Sequence, residues 1–265
     1  VSLDARVEGT AFSLNQVASG YGKTSMEVLD GCAITNAIVL GNNWNSINDN
    51  QAACGFYVRG GYLCVPFNAG VGNPTVGKYS QGYWEQSGGD VCFEYYTFVG
   101  RYADAIGMFH QTGGNCVVNE TRYHLGAEGR AIHYQSGGFF ESKADVSICD
   151  SSYSTLDGGT AAEMTISGVG TECTVSRRIV MARRFDCVAT LNINDGARLT
   201  TGEIVMSRYG RDSDSSPLWY TNDFGYVNFN GGVLRTQQNL WNIFGNKTGA
   251  YNGNLGEYTN NWPTA

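Results

Sequence analysis

The sequence is short of proline, histidine and charge, and it has no long apolar run. It contains 4 prolines, 3 histidines and 15% charged residues, and its net charge is −7. A nucleic-acid binder of the electrostatic kind needs a basic face, so this composition predicts no nucleic-acid partner. No stretch of about 18 apolar residues occurs, which predicts no transmembrane segment. Apolar residues do not recur at helical spacing over any long segment, so we expect little helix.

The cysteines are numerous, but they lack the spacing of metal ligands. Eight cysteines occur without a Cys-x-x-Cys pair, so we predict no metal site, and we predict no cofactor. Chains that are rich in cysteine and poor in lysine are typical of oxidising compartments. The sequence opens on Val1 and not on methionine, so it is either a processed mature form or a cut fragment, and processing would imply export. We therefore expect an extracellular or cell-surface location.

What the sequence does contain is a repeat. The tetrapeptide Gln-Ser/Thr-Gly-Gly begins at Gln86, Gln111 and Gln135, so its copies start 25 and then 24 residues apart. Self-similarity at such a period is typical of solenoids and other repeat architectures. Weaker echoes extend the pattern towards both ends of the chain, at Asp30-Gly31, Gly60-Gly61, Gly158-Gly159, Asp195-Gly196 and Gly231-Gly232.

The repeat predicts the fold. A unit of about 25 residues with two or three short strands cannot bury its own apolar face, so it must stack on similar units. We predict one all-β domain, a parallel β-solenoid over residues 1–244 with irregular terminal segments. Residues 245–265 are rich in Asn and Gly and would form a cap or a subunit contact. An up-and-down barrel or a sandwich is the competing fold, but both would show a turn signal about every 8 to 12 residues.

The register of the repeat assigns roles to individual residues. Glycine pairs would form corners, because a corner needs a positive φ or a close approach of successive backbones. These corner glycines are Gly60, Gly61, Gly88, Gly89, Gly113, Gly114, Gly137, Gly138, Gly231 and Gly232. Gln86, Gln111 and Gln135 would stack as an amide ladder. Apolar residues alternate after the glycine pairs, as at Leu63 and Val65, which is the period of a strand with one buried face.

Two cysteines share one register position. Cys64 and Cys92 each lie three residues after the second glycine of a pair, so they would stack in one column. Neighbouring strands about 4.8 Å apart would bring them within reach of a disulfide. Cys116 lies two residues after its glycine pair and should face the other way. The alternative for all eight cysteines is that they are buried thiols.

Several segments carry a family resemblance. Val99-Gly100-Arg101 followed by residues 107–114 (GMFHQTGG), and residues 191–199 (LNINDGARL) and 227–234 (VNFNGGVL), resemble the repeats of bacterial autotransporter-like, passenger-type secreted proteins. The resemblance covers roughly residues 82 to 236. It implies export and a right-handed parallel β-helix, but it implies no single activity.

The first functional hypothesis is a secreted structural protein. A solenoid ends in two open strand edges, which carry a cap or pair with another copy. Stacking one end on the other is a heterologous contact that need not close, so it can generate a filament. We therefore expect a self-assembling extracellular filament subunit, or a surface or adhesin subunit, with the chain itself as partner.

The alternatives are a carbohydrate-active enzyme and a glycan-binding module. Parallel β-helices include polysaccharide lyases and hydrolases, and Asp145, Asp150 and Asp157 fall in one coil with Arg177-Arg178 and Arg183-Arg184 on the next. We assign no catalytic residue, because the hydrolase motifs are absent and the three histidines fall at replaceable repeat positions. Candidate glycan or subunit contacts are Trp84, Trp219, Trp241 and Trp262.

Overall fold

The described part of the chain is built from parallel β-strands. The computed structural model describes residues 2–3, 7–9, 12–14, 24–35, 38–40, 53–65, 73–119, 121–150, 161–182, 187–206 and 224–236. Within these ranges there are 24 strands and no α-helix, and so no helix that could cross a membrane. The strands form two sheets, of nine and 15 strands. The predicted all-β parallel β-solenoid is confirmed.

The nine-stranded sheet is the first face of the solenoid. Each strand between the two end strands pairs in parallel with the strand that lies one turn earlier and the strand one turn later. In order they are β1 (Ser2–Leu3), β4 (Thr24–Val28), β7 (Ala53–Val58), β10 (Gln81–Gln86), β13 (Ile106–Gln111), β16 (Arg130–Gln135), β19 (Ala161–Ser167), β21 (Val188–Asn194) and β23 (Phe224–Asn230).

The other sheet supplies the second and third faces. The second face consists of β2 (Val7–Gly9), β5 (Cys32–Thr35), β8 (Tyr62–Val65), β11 (Asp90–Phe93), β14 (Asn115–Val118), β17 (Phe139–Ser142), β20 (Glu172–Met181), β22 (Arg198–Met206) and β24 (Val233–Thr236). The third face consists of β3 (Phe12–Leu14), β6 (Ile38–Leu40), β9 (Thr75–Val76), β12 (Thr97–Val99), β15 (Tyr123–Leu125) and β18 (Val146–Ile148), and the second halves of β20 and β22 continue it.

The corner between the first and second faces shows why the repeat needs two glycines. Gly89 has a φ of 70°, which a residue with a Cβ resists. A Cβ on Gly88 would collide with the carbonyl oxygen of Arg59 on the preceding turn. One glycine therefore supplies the backbone conformation, and the other lets successive turns approach. The structure places the other predicted corner glycines, Gly60, Gly61, Gly113, Gly114, Gly137, Gly138, Gly231 and Gly232, at the equivalent corners.

One corner was not predicted. The echo at Gly158-Gly159 lies outside the described residues, and the corner that leads from β19 to β20 lies at Gly168 and Gly170, with φ of 94° and 84°. Its sequence lacks the paired glycines and the preceding glutamine of the other repeats. Single glycines on either side of Val169 meet the same conformational need, so a search for glycine pairs misses them.

The core is a continuous column of inward-facing residues. On β10 the burial pattern alternates, and Trp84 and Gln86 point inside. Trp84 stacks on Phe56 of the turn before (ring centroids 4.8 Å apart) and on Phe109 of the turn after (5.8 Å). Phe109 in turn stacks on His133 at 5.0 Å. Aromatic rings thus fill one register position over four successive turns and tie those turns together.

Candidate functional site

The last described turn is the least covered part of the core. Val227 and Phe229 on β23 pack against the core but are only partly buried. Their register partners on β21, Leu191 and Ile193, are both 0% exposed. Within the described residues β23 ends the nine-stranded sheet, because it pairs with β21 alone. The C-terminal end of the described solenoid therefore presents apolar side chains that one more layer would bury.

The same end presents the outer edge of β23. The N–H of Phe224 donates to the carbonyl of Cys187 on the preceding turn, at 2.7 Å. Alternate residues of a strand direct their N–H and C=O groups to opposite edges, so Val227 directs its own away from β21. In the described part of the chain no strand lies on that edge. An open edge of this kind is a template for pairing with another strand.

Asparagine ladders run up to this end. Asn228 Nδ2 donates to Asn192 Oδ1 at 2.8 Å, and Asn230 Nδ2 donates to Asn194 Oδ1 at 3.1 Å. All four residues lie on the outward side of the first face, in two columns. Each amide nitrogen is therefore engaged with the preceding turn, and the two exposed amides of β23 form the last described rung.

The N-terminal end presents the opposite edge of the same sheets. β1 starts the nine-stranded sheet, and β2 and β3 are the two ends of the larger sheet. Each pairs in parallel with the strand one turn later. The N-terminal end therefore exposes the strand edges on which an earlier turn would pair, and the C-terminal end exposes the edge on which a later turn would pair. The two ends are complementary in strand direction.

The predicted glutamine column lies inside the solenoid and works differently from the prediction. Gln86, Gln111 and Gln135 are in register and 0% exposed. Gln111 Nε2 donates to the carbonyls of Gly114 (3.1 Å) and of Phe139 on the next turn (3.0 Å), and the other two make equivalent bonds. Their Oε1 atoms have no hydrogen-bond partner. The glutamines therefore stack, but they clamp the glycine corners to the next turn instead of bonding to one another.

The predicted tryptophan contacts need one correction. Trp84 is 0% exposed and stacked between two phenylalanine rings, so it cannot touch a glycan or a partner subunit. The reason is strand alternation, because Trp84 lies two residues before Gln86 and shares its inward side. Trp219, Trp241 and Trp262 lie outside the described residues, as does the extension 245–265.

The outward side of the first face carries apolar and aromatic side chains. Met108, Ile132 and Tyr134 are each 39% exposed. Beside them, His110 contacts the ring of Tyr134 at 5.3 Å, and the hydroxyl of Tyr83 lies 3.3 Å from His110 Nδ1. These groups form a flat contact surface across three successive turns. Nothing in the described residues shows what covers it.

An alternating column of charges lies at the start of the third-face strands. Arg122, Asp145, Arg178 and Glu203 occupy successive turns at one register position. Asp145 is 1% exposed. Its carboxylate lies 3.0 Å from Arg178 Nε, 3.6 Å from Arg122 Nε and 3.7 Å from Arg177 Nε. Arg178, one of the residues weighed for a carbohydrate-active site, thus forms an ion pair with a buried aspartate, which fits a structural ion network.

A second polar group on this face does not form a working catalytic set. His124 Nδ1 lies 3.4 Å from Asp150 Oδ2, and Ser147 is the register partner of His124. Ser147 is 1% exposed, and its hydroxyl has no hydrogen-bond partner. A nucleophilic serine must contact its base, so no residue here receives a catalytic role. Asp157, Arg183 and Arg184 lie outside the described residues.

The second face brings thiols together. Cys64 and Cys92 are register partners on β8 and β11, and their sulfur atoms and a Glu94 carboxylate oxygen all lie within 4.8 Å of one another. Cys92 Sγ donates to Glu94 Oε1 at 2.8 Å, and burial raises the pKa of the Cys92 thiol. Both cysteines are thiols in the structure, so the disulfide stays a prediction. Cys116 is 0% exposed and points to the other side, into the core.

No protein-family model matches the chain, and no match is found among curated proteins or among solved structures. The resemblance to autotransporter-like passenger repeats therefore stays a prediction. The parallel β-solenoid is established by strand order and pairing in the structure.

Proposed function

We propose that this chain is a secreted structural protein whose solenoids assemble head to tail into an extracellular filament or surface layer. The observation that carries the proposal is the last described turn. It keeps the strand register of the solenoid, yet Val227 and Phe229 remain partly exposed where the previous turn buries the same positions completely. A second copy is the proposed occupant of this end, because its first turn would continue both sheets in the same strand direction.

The polarity of the asparagine ladders supports this arrangement. The side-chain Nδ2 atoms of Asn228 and Asn230 donate to the preceding turn. Their side-chain Oδ1 atoms can therefore accept from donors on a following turn. Ladders of stacked amides add to the stability of assemblies in which identical strands repeat. A docked copy would thus gain main-chain bonds, amide contacts and apolar burial at one surface.

Symmetry favours a filament over a closed dimer. Docking of a C-terminal end on an N-terminal end uses two different surfaces, so every added copy leaves a new free end. The extracellular location rests on composition, since the chain is rich in cysteine and poor in lysine.

The proposal is tested at the edge of β23 with the substitution Val227→Pro. Proline removes the N–H that Val227 directs to the open edge, while the bonds that join β23 to β21 stay in place. We expect wild-type chains to show a mass that rises with concentration in light scattering, and fibres in negative-stain microscopy. In Val227→Pro, the rise in mass and the appearance of fibres should both require a concentration at least about tenfold higher. A factor of ten corresponds to a loss of about 1.4 kcal/mol in the free energy of each contact between copies.

The matched control is Val227→Ala, which shortens the same side chain but keeps the N–H. It should assemble much closer to the wild type than Val227→Pro does. A wild-type chain that remains monomeric at every concentration contradicts the proposal. Equal assembly of the proline variant and the wild type contradicts the strand-edge route.

A further inference from the structure

The thiol cluster on the second face gathers donors from three consecutive turns. Cys64 comes from β8, Cys92 and Glu94 come from β11 and the residue after it, and Asn119 follows β14. Asn119 Nδ2 lies 3.1 Å from Cys92 Sγ and 2.6 Å from Glu94 Oε1. The cluster is half-buried, on the outward side of the strands. Two sulfurs and a carboxylate at one point form a donor set that thiophilic metals prefer.

The geometry suits a metal better than a disulfide. In a tetrahedral zinc site with Zn–S of about 2.3 Å, neighbouring ligand atoms lie about 3.5 to 3.8 Å apart. The three donor atoms lie within 4.8 Å of one another, so rotation of side chains can bring them to a shared ion. A disulfide needs Cβ atoms about 3.8 Å apart, whereas in-register strands hold them near the strand spacing of about 4.8 Å. A metal ion between the two sulfurs spans this wider separation, so it requires less closing of the strands than a disulfide does.

Asn119 can complete the set. Its Oδ1 is buried and has no hydrogen-bond partner, while its Nδ2 contacts Cys92 and Glu94. A half-turn of the amide would exchange the two atoms and direct Oδ1 at the cluster. With an ion bound, Oδ1 would then coordinate the metal as a fourth ligand, which gives this orphaned buried oxygen a partner.

We propose that Cys64, Cys92, Glu94 and Asn119 bind one thiophilic divalent cation of the Zn²⁺ type. On binding, two S–H bonds break, two sulfur–metal bonds form, and the two protons leave to solvent. The ion would staple three consecutive turns on the outside of the solenoid. The repeat register placed Cys64 and Cys92 in one column, but it gave no sign that Glu94 and Asn119 join them.

The test uses the full chain, reduced with a non-thiol reductant and titrated with Cd²⁺ and then with Zn²⁺. Cd²⁺ should give a thiolate-to-metal absorption band that saturates at one ion per chain, and Zn²⁺ should displace it. Cys64→Ser and Cys92→Ser should each abolish the band. Glu94→Gln and Asn119→Ala should each weaken binding by about 10- to 100-fold. Circular dichroism of each variant checks that it is folded.

The matched control is Cys173→Ala, which removes a buried core thiol on β20 and should bind metal like the wild type. Loss of the band in this control, or its absence from the wild type, overturns the proposal. Peptide mass spectrometry after exposure to air supplies an independent readout. We expect Zn²⁺ to protect Cys64 and Cys92 from oxidation, and a Cys64–Cys92 disulfide that forms equally fast with and without Zn²⁺ overturns the proposal.

Discussion

At the scale of single residues, the distance from a corner decides which side chains reach the core. Gln86 and Trp84 lie two residues apart on β10, and both are 0% exposed. Phe109 and His133 also lie two residues before the glutamines of their own strands. Since alternate residues of a strand share one side, all three rings lie on the inward side. The sequence already held this signal, because Trp84 shares the register of its aromatic neighbours. Composition alone, which makes tryptophan a plausible surface contact, points the wrong way.

Trp84 should therefore matter for stability and not for binding. Replacement by alanine removes the ring between Phe56 and Phe109 and should lower the free energy of unfolding by about 3 to 5 kcal/mol. Trp84→Phe keeps an aromatic ring in the stack and removes an indole N–H that has no partner, so its cost should stay under about 1.5 kcal/mol. Urea denaturation followed by circular dichroism measures both. Equal losses for the two variants would contradict the stacked-core role.

At the scale of elements, the corner between the first and second faces is the recurring unit. Gln111 Nε2 bonds the carbonyl of Gly114 at its own corner and the carbonyl of Phe139 on the next turn. The side chain therefore joins a strand end, a corner and the neighbouring turn. The carbonyl of Gly114 also accepts the backbone N–H of Phe139 at 2.9 Å, so the glutamine adds a second donor there. This shared role explains why glutamine precedes the glycines in all three strong repeats.

Gln111→Leu keeps most of the volume but removes both hydrogen bonds. We expect it to lower the free energy of unfolding by about 2 to 3 kcal/mol, because two hydrogen bonds from one interior side chain to backbone carbonyls are lost. The matched change Gln81→Leu, on the half-buried outward side of β10, should cost less than half as much. Denaturant titration of the two variants makes the comparison. A loss at Gln81 as large as the loss at Gln111 would argue against the corner clamp.

The elements also show what the sequence could and could not predict. The glycine pairs repeat because every turn meets the same steric demand at Gly88 and Gly89, so the period and the strand register were readable. The charge column at Asp145 was readable only as residues on neighbouring turns. Its contacts form because β15, β18 and β20 stack in register, which brings Arg122 and Arg178 to Asp145. At the thiol site the repeat register predicted the stacking of Cys64 and Cys92, but it did not predict the approach of Glu94 and Asn119.

At the scale of the whole molecule, each turn is held by its neighbours, so damage in a middle turn affects the entire body. His133 lies in such a turn, 0% exposed, between Phe109 and Met164 in register. Burial, with a smaller contribution from His110, lowers the pKa of His133 to about 3. In an unfolded chain histidine titrates near about 6.5. Below that pH, His133 binds a proton in the unfolded chain but stays neutral in the folded chain. Acid therefore lowers the free energy of unfolding.

The substitution His133→Phe should remove this part of the acid sensitivity. Between pH 7.5 and pH 5 the wild type should lose about 2 kcal/mol more than His133→Phe, at up to about 1.4 kcal/mol per pH unit. Denaturant titration at several pH values measures the slopes, even if the lost hydrogen bond to Tyr123 (2.9 Å) lowers stability at every pH. The matched control is His110→Phe, on the outward side. Its free energy of unfolding should still fall between pH 7.5 and pH 5 by most of the amount seen in the wild type. Parallel slopes for the wild type and His133→Phe would show that His133 does not couple pH to the stability of the solenoid.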